Sequence, residues 1–232
     1  MTLARKAVAE GIGTALLLAI VVGSGIMGER LAAGNAAVAL LANSIATGAG
    51  LYVLIVIFGP VSGAHFNPVV SAVSLCQSHF PARHCAAYIL AQIIGAFAGV
   101  IAAHAMFGLP IIQISAHVRP TLGEGLGEIL ATFGLVLVIT LTSKFRPETI
   151  PAAVAAFITS AYWFTSSTSF ANPAVTLARA MTDTFAGISP TSVSLFIGSQ
   201  IGGGAIGTVF AQWLLRSESA QNNPASVAEE RS

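Results

Sequence analysis

Two short motifs hold the residues with the most definite chemistry, because each places an asparagine directly before a proline. They are Asn67-Pro68-Val69 and Asn172-Pro173-Ala174, and each lies between a full-length apolar stretch and a short one. Asparagine caps the free N–H groups at the start of a helix, and proline at the first helical position loses no hydrogen bond there. Both motifs therefore predict a helix start that presents amide groups to a polar solute. Such groups recognise a solute by hydrogen bonding.

Two glutamates lie within apolar stretches, where a charged residue requires a structural or functional explanation. Glu10 and Glu128 each precede a threonine by four residues, at matching places in the two halves of the chain. A carboxylate at the centre of a spanning helix costs about 2.5 kcal/mol or more. Their matching positions favour a structural role. The alternative interpretation makes them, together with Glu124, the proton relay of a secondary transporter.

The composition places these motifs in a membrane protein. Hydrophobic residues make up 55% of the chain and charged residues 8%, which excludes a soluble globule with a wettable surface. The net charge of +1 offers no basic footprint for nucleic acid. A spanning helix needs about 20 mostly apolar residues. The predicted spans are residues 7–27, 36–59, 84–107, 122–143, 151–167 and 192–215.

Two further apolar segments, which follow Asn67 and Asn172, are too short to cross a membrane. At about 10 to 12 residues each they fall below the spanning length, which predicts re-entrant half helices. The residues before each asparagine, 62–66 and 167–171, show no helical pattern. Irregular backbone is tolerated at membrane depth only where it is buried in protein or lines a water-filled cavity. Its carbonyl groups would then form a ladder of acceptors along a pore.

The two halves repeat the same landmarks in the same order, which predicts an inverted repeat. Gln92-x-x-Gly95-x-x-x-Gly99 matches Gln200-x-x-Gly203-x-x-x-Gly207, and the glycines predict close packing of helix backbones. Three spans per half is an odd number, so the second half enters the membrane from the opposite face and a central site forms between the halves. The predicted boundaries are 1–215 for a single channel domain, about 5–108 and 121–215 for its repeats, and 216–232 for a polar tail that is expected to be disordered.

Basic residues in short loops predict the orientation. Arg30 and Arg119 lie on one side, and the other basic loop residues lie on the opposite side. Both termini are therefore predicted to be cytoplasmic in a multi-pass protein of a bacterial inner membrane. Cys76 and Cys85 lie near that side, so neither a disulfide nor a metal site is expected. The basic residues of the cytoplasmic side are Arg5, Lys6, Arg83, Lys144, Arg146 and Arg216.

This combination of motifs resembles the major intrinsic protein family, the aquaporins and aquaglyceroporins, over about residues 5–215. Residues 62–68 are close to the first family signature, and the triplet at Asn172 matches the second. The resemblance implies an all-α membrane protein with six tilted transmembrane helices, two re-entrant half helices, one pore per protomer and a homotetramer. It also implies that Glu10 and Glu128 accept hydrogen bonds from the pore loops. The loop residues that it places along the pore are Gly63, Ala64, His65, Phe66, Phe170 and Ala171.

The resemblance further assigns an outer selectivity filter, where this chain departs from the family. Gap-free carry-over places Thr47, Ser160, Ser169 and Val175 at the filter positions, and the last of these is normally an arginine. A filter with no arginine and no aromatic ring is expected to be wider and less polar than a water-selective one. Arg179, one turn further along the same helix face, either adds a positive charge at the outer mouth or caps backbone carbonyls. Val69, where the family usually has alanine, is expected to tighten the centre slightly.

The expected function is a passive channel for small neutral solutes. Two half-helix N-termini, each with about half a positive charge, repel a monovalent cation about 5 Å away by about 3 kcal/mol at an effective dielectric of ~20. Water and glycerol are expected to pass, and resemblance to atypical bacterial members without the filter arginine adds undissociated metalloid acids such as arsenite. A water-selective aquaporin, a proton-coupled transporter and a closed structural membrane protein stay open as alternatives. No arrangement for catalysis is identified, and no cofactor or metal is predicted.

Overall fold

The structure is a computed structural model, and it describes residues 1–77 and 80–221 of the chain. Its helices follow one another as two similar halves. The first half contains α1 (Leu3–Leu31), α2 (Ala36–Ser62), α3 (Pro68–Cys76) and α4 (Ala82–Met106). The second half contains α5 (Leu122–Phe145), α6 (Ile150–Phe164), α7 (Pro173–Arg179) and α8 (Pro190–Gln221), with a 3-10 turn at Pro147–Thr149 before α6.

Five of the described helices are long and apolar enough to cross a membrane, and α6 is shorter than the others in the same role. It has 15 residues, which is about 22 Å of helix against a hydrocarbon core of about 30 Å. It ends at Phe164 because Thr165 takes an extended conformation and begins the second pore loop. The predicted span at 151–167 therefore ran three residues too far, while the prediction of a multi-pass membrane protein is confirmed.

The helices of the two halves pack in the same way. In the first half α1 lies along α2 and α4, and in the second half α5 lies along α6 and α8. Contacts between α2 and α6 join the halves. The short helices α3 and α7 meet each other, and each also contacts both α4 and α8. This arrangement confirms the predicted all-α fold, in which two half helices meet between inverted repeats.

Glycines at equivalent positions allow the long helices to approach closely. A Cβ atom added to Gly95 of α4 would lie 2.1 Å from the carbonyl oxygen of Gly11 in α1. A Cβ atom on Gly203 of α8 would lie 2.4 Å from the carbonyl oxygen of Ile129 in α5. Gly11 and Ile129 directly follow the two buried glutamates, so the same backbone crossing is built twice.

Alanine at either crossing is expected to destabilise the fold. Gly95→Ala and Gly203→Ala each force two helix backbones apart, and overpacking of this kind costs about 1–3 kcal/mol. Gly198→Ala is the matched control in α8, because an added Cβ there meets no atom within 4 Å. Thermal unfolding of the detergent-solubilised protein should show lower midpoints for the two crossing variants and an unchanged midpoint for the control. Equal midpoints in all three would contradict the role of these glycines in packing.

The boundary of the C-terminal tail differs from the one predicted at residue 216. Helix α8 continues to Gln221, although residues 217–221 carry no apolar pattern that would extend the span. A helix that already exists adds residues at little cost, because each new residue gains one backbone hydrogen bond. The remainder of the predicted disordered tail, 222–232, lies outside the described residues.

Candidate pore and selectivity filter

Asparagine side chains cap both half helices. The Asn67 side-chain oxygen accepts a hydrogen bond from the backbone N–H of Val69 at 2.9 Å. The Asn172 oxygen accepts from the N–H groups of Ala174 at 3.0 Å and Val175 at 3.3 Å. In both helices proline occupies the first turn, where its missing N–H is not needed.

Each cap is also tied to the loop of the opposite half. The Asn67 amide nitrogen donates to the carbonyl oxygen of Ala171 at 2.7 Å, and the Asn172 amide nitrogen donates to the carbonyl oxygen of Phe66 at 2.7 Å. From the sequence, both NH2 groups are expected to face the passing solute. The structure uses one N–H of each amide to join the halves, so the tips of α3 and α7 are fixed relative to each other.

The two pore loops share an unusual backbone conformation. Ala64 and Phe66 in the first loop have φ values of 50°, and Ser169 and Ala171 in the second loop have φ values of 49°. A residue other than glycine pays about 1–2 kcal/mol for this left-handed conformation. Both loops therefore need hydrogen bonds from outside the loop to hold them.

Glu10 holds the first pore loop. Its carboxylate is fully buried and accepts hydrogen bonds from the backbone N–H groups of His65 at 3.0 Å and Phe66 at 2.7 Å. It also accepts from the Ser62 hydroxyl at 2.6 Å and the Gln92 amide at 2.8 Å. Both carboxylate oxygens are thus occupied by donors that belong to the loop, to the end of α2 or to α4.

Glu128 holds the second loop in the same way. It is fully buried and accepts from the backbone N–H groups of Phe170 and Ala171, both at 2.8 Å, and from the Gln200 amide at 2.6 Å. From the sequence, Gln92 and Gln200 are predicted only as landmarks of the repeat. Each half contains one such glutamine and one glutamate within an apolar stretch, and this pairing could have predicted the contact between them.

A cavity of about 280 Å³ lies between the two halves, and residues of both halves line it. Its apolar lining includes Leu17, Val21 and Leu135. Most of the predicted site also lines it. The predicted residues that line the cavity are Thr47, Gly63, Ala64, His65, Phe66, Asn67, Ser169, Phe170, Ala171, Asn172, Val175 and Arg179.

Val69 lies behind the pore centre and does not narrow it. A Cβ atom on Gly204 of α8 would lie 2.5 Å from a Val69 methyl group, so the missing side chain in α8 makes room for valine. The expected tightening of the pore by this residue is therefore corrected. Pro68, Pro173 and Ala174 also stand outside the described lining of the cavity.

Ser160 is not a filter residue. Its side chain is exposed, and its hydroxyl donates to the carbonyl oxygen of Phe157 at 2.7 Å. Ile158 and Tyr162, four residues apart on one face of α6, line the cavity instead. Ser160 is two residues from either and so lies about 200° around the helix. The assignment of Ser160 to the filter, made by counting along the family pattern without gaps, was therefore wrong by two residues.

Tyr162 brings an aromatic ring to the lining of the cavity, whereas a filter without an aromatic ring is expected from the sequence. The residue is 3% exposed, and its hydroxyl donates to the Thr47 hydroxyl at 3.3 Å. Thr47 also lines the cavity. The two side chains form a hydrogen-bonded pair that joins α2 to α6.

Arg179 lies within the cavity, where only 2% of the residue is exposed. Its Nε donates to the carbonyl oxygen of Ala186, and its Cζ lies 3.4 Å from the centroid of the Phe170 ring. Helical side chains lean toward the helix N-terminus, so a residue one turn outward from Val175 reaches back toward the level of Val175. Arg179 both binds a backbone carbonyl and brings a cation to the lumen.

Hydrogen bonding and charge are the chemistry that this cavity offers. In residues 1–77 and 80–216, no three His, Cys, Asp or Glu side chains come together as metal ligands. Cys76 and Cys85 are free thiols. Asparagine amides, hydroxyls and the two pore loops line the cavity together with apolar side chains, which suits small neutral solutes that carry polar groups.

Comparisons with known proteins identify the family. The profile of the major intrinsic proteins matches residues 1–161. The aquaglyceroporin AqpS of Rhizobium meliloti is 50% identical over 92% of this chain and 91% of its own length. Aquaporin-1 of Rhizopus delemar is 32% identical over 63% of this chain and 53% of its own length. The structure of the Plasmodium falciparum aquaglyceroporin matches with a TM-score of 0.71 at 19% identity, over 90% of this chain and 95% of that one. The chain therefore belongs to the major intrinsic protein family, and it is a membrane channel and not an enzyme.

Proposed function

We propose that this channel passes glycerol-sized neutral solutes, including undissociated metalloid acids such as arsenite, by passive diffusion. The observation that supports this most strongly is the cavity between the halves, which polar and apolar residues line together. Its polar groups include those of the two pore loops, which Glu10 and Glu128 hold in place. A solute that moves along these groups exchanges hydrogen bonds with water for hydrogen bonds with the protein.

Three polar groups are suited to a hydroxylated solute. Each asparagine cap has two N–H groups, and the contact with the opposite loop uses one, which leaves a second donor on Asn67 and on Asn172. The Ser169 hydroxyl is buried along the cavity and has no hydrogen-bond partner among the described residues. Glycerol and the hydroxides of trivalent arsenic carry several O–H groups that can both donate to and accept from these atoms.

The filter leaves room for such solutes because the guanidinium group of Arg179 is held to one side. Arg179 is stacked on Phe170 and bound to the Ala186 carbonyl, so the short side chain of Val175 faces the lumen. The expectation of a filter without arginine is therefore replaced by a filter with a displaced arginine. The 50% identical relative is named an aquaglyceroporin, which supports a solute wider than water.

A proton-coupled transporter is the second candidate, and the geometry favours it less. Each oxygen of Glu10 and Glu128 accepts a hydrogen bond from a loop N–H or a glutamine amide, so neither carboxylate is placed to release a proton. Glu124 closes the capping box of α5 with Thr121. None of the three therefore forms part of a relay along the cavity.

Flux measurements in proteoliposomes test the proposal. Stopped-flow light scattering with water, glycerol, urea and arsenite should show glycerol and arsenite flux well above that of empty liposomes. An imposed proton gradient should leave both rates unchanged. Uptake that follows the gradient would favour the transporter, and solute flux no higher than in empty liposomes would favour a closed structural protein.

We extend the proposal to a homotetramer in a bacterial inner membrane, with both termini in the cytoplasm. The spanning helices carry large exposed apolar side chains, among them Ile12, Val53 and Trp213, which require lipid or a neighbouring protomer. The bias of basic residues toward the side of the termini supports the orientation. Light scattering of the detergent-solubilised protein should give four protomers, and a stable monomer would contradict this assembly.

A further inference from the structure

A second arginine approaches the filter from the connection between α4 and α5, residues 107–121. The Arg119 Nη1 donates to the carbonyl oxygen of Ser167 at 3.1 Å and lies 3.4 Å from the Thr168 hydroxyl. The Arg119 Cζ lies 5.4 Å from the centroid of the Phe170 ring. Phe170 is the ring on which Arg179 is stacked. Two guanidinium groups from distant parts of the chain therefore contact one aromatic ring of the pore lining.

The connection that carries Arg119 is bound to the second half of the chain. The backbone N–H of Arg119 donates to the Ser192 hydroxyl at 2.9 Å, and the N–H of Ser115 donates to the carbonyl oxygen of Ala180 at 3.0 Å. Both acceptors follow the second pore loop in the chain. The position of Arg119 is thus set by tertiary contacts and not by the direction of its own loop alone.

Neither guanidinium is neutralised nearby. In the part of the chain that the structure describes, no carboxylate lies within ion-pair distance of Arg119 or Arg179, and the recorded ion pair is that of His117 with Asp183. Burial lowers the pKa of Arg119, while Glu124 and Glu128 act in the opposite direction. Arginine is the most basic side chain in proteins and stays protonated at neutral pH.

We propose that Arg119 is a specificity-determining residue whose charge, added to that of Arg179, excludes cations from the outer filter. The inference rests on the proposed channel function and deepens it. A permeating cation must pass the Phe170 ring with two uncompensated positive charges beside it. Neutral solutes meet no such barrier.

A purely structural role for Arg119 is the competing account, and the contacts make it concrete. Thr168 and Ser169 have φ values of 60° and 49°, and the bond from Arg119 to Ser167 precedes this strained segment directly. Charge and anchoring can be separated by substitution. Arg119→Gln keeps an N–H donor for the Ser167 carbonyl and removes the charge, whereas Arg119→Lys keeps the charge and loses the planar fork.

The test compares cation flux and glycerol flux in proteoliposomes that contain the full-length protein. Proton flux is measured with an entrapped pH dye under a fixed potential, and glycerol flux by light scattering. For Arg119→Gln we expect about a tenfold rise in proton flux, because one of the two positive charges near the Phe170 ring is lost. Its glycerol flux should stay within about twofold of wild type, and Arg119→Lys should retain exclusion.

Arg30→Gln is the matched control. Arg30 lies on the same side, donates to the carbonyl oxygen of Phe107 at 3.2 Å and has its Cζ 5.1 Å from the centroid of that ring, away from the pore. Its proton flux should equal that of wild type. Similar proton flux in wild type, Arg119→Gln and Arg119→Lys would overturn the proposal, as would equal increases in the two Arg119 variants. Absent glycerol flux in wild type would instead count against the channel function itself.

Discussion

Glu128→Ala is expected to unfold the second pore loop and abolish solute flux. The substitution leaves the backbone N–H groups of Phe170 and Ala171 and the Gln200 amide without their acceptor in a buried site. Each buried donor without a partner costs about 1–3 kcal/mol, so the free energy of unfolding should fall by about 3 kcal/mol or more. Thermal unfolding in detergent and glycerol flux in proteoliposomes provide the measurements.

Glu124→Ala is the control for this experiment, because it removes a carboxylate from the same helix. Glu124 is partly exposed and serves the capping box of α5 with Thr121. Loss of a helix cap costs about 1 kcal/mol, so glycerol flux should persist. A stable Glu128→Ala protein with normal flux would refute the loop-supporting role. Loss of flux in Glu124→Ala, with the fold intact, would support the hypothesis that Glu124 belongs to the proton relay of a transporter.

Val175→Arg is expected to close the filter to glycerol and arsenite while some water still passes. Val175 is 5% exposed and lines the cavity near Arg179 and Phe170. A second long side chain in a cavity of about 280 Å³ fills the space that a solute needs, and its charge is repelled by that of Arg179. We expect glycerol flux to fall by about tenfold or more, as for a barrier raised by about 1.4 kcal/mol.

Val175→Thr provides the matched control, since threonine has nearly the shape of valine and differs by one hydroxyl group. Its glycerol flux should stay close to that of wild type in the same stopped-flow assay. The pair separates the volume of the side chain from its polarity. Unchanged glycerol and arsenite passage through the Val175→Arg channel would show that this residue does not border the filter.

The repeated motifs predicted much of the architecture because the effects of their residues depend little on distant parts of the chain. Asn67 and Asn172 precede prolines, and the capping preference of asparagine depends on the few residues around it. Glu10 and Glu128 are costly in a membrane wherever they lie, so a compensating set of donors was required before any contact was known. The membrane class, the half helices and the supporting glutamates all follow from features of this kind.

The filter was predicted less well because its residues depend on helix register. An error of two residues on α6 exchanges the exposed Ser160 for the lumen-facing Tyr162, which turns a hydroxyl into an aromatic ring. Positions in α6 cannot be matched by number to positions in the equivalent helix α2, because α2 has 27 residues and α6 has 15. Positions far from a motif therefore cannot be assigned by counting along the chain.

The sequence by itself determined that this is a membrane protein with two capped half helices, because apolar length and helix capping are properties of short segments. Only the tertiary structure decided where the long polar side chains go. Arg179 reaches into the lumen because the Phe170 ring and the Ala186 carbonyl bind it, and Arg119 contacts the same ring from a loop 60 residues before Arg179 in the chain. A flexible side chain takes its direction from its partners, and those partners come together only when the two halves pack.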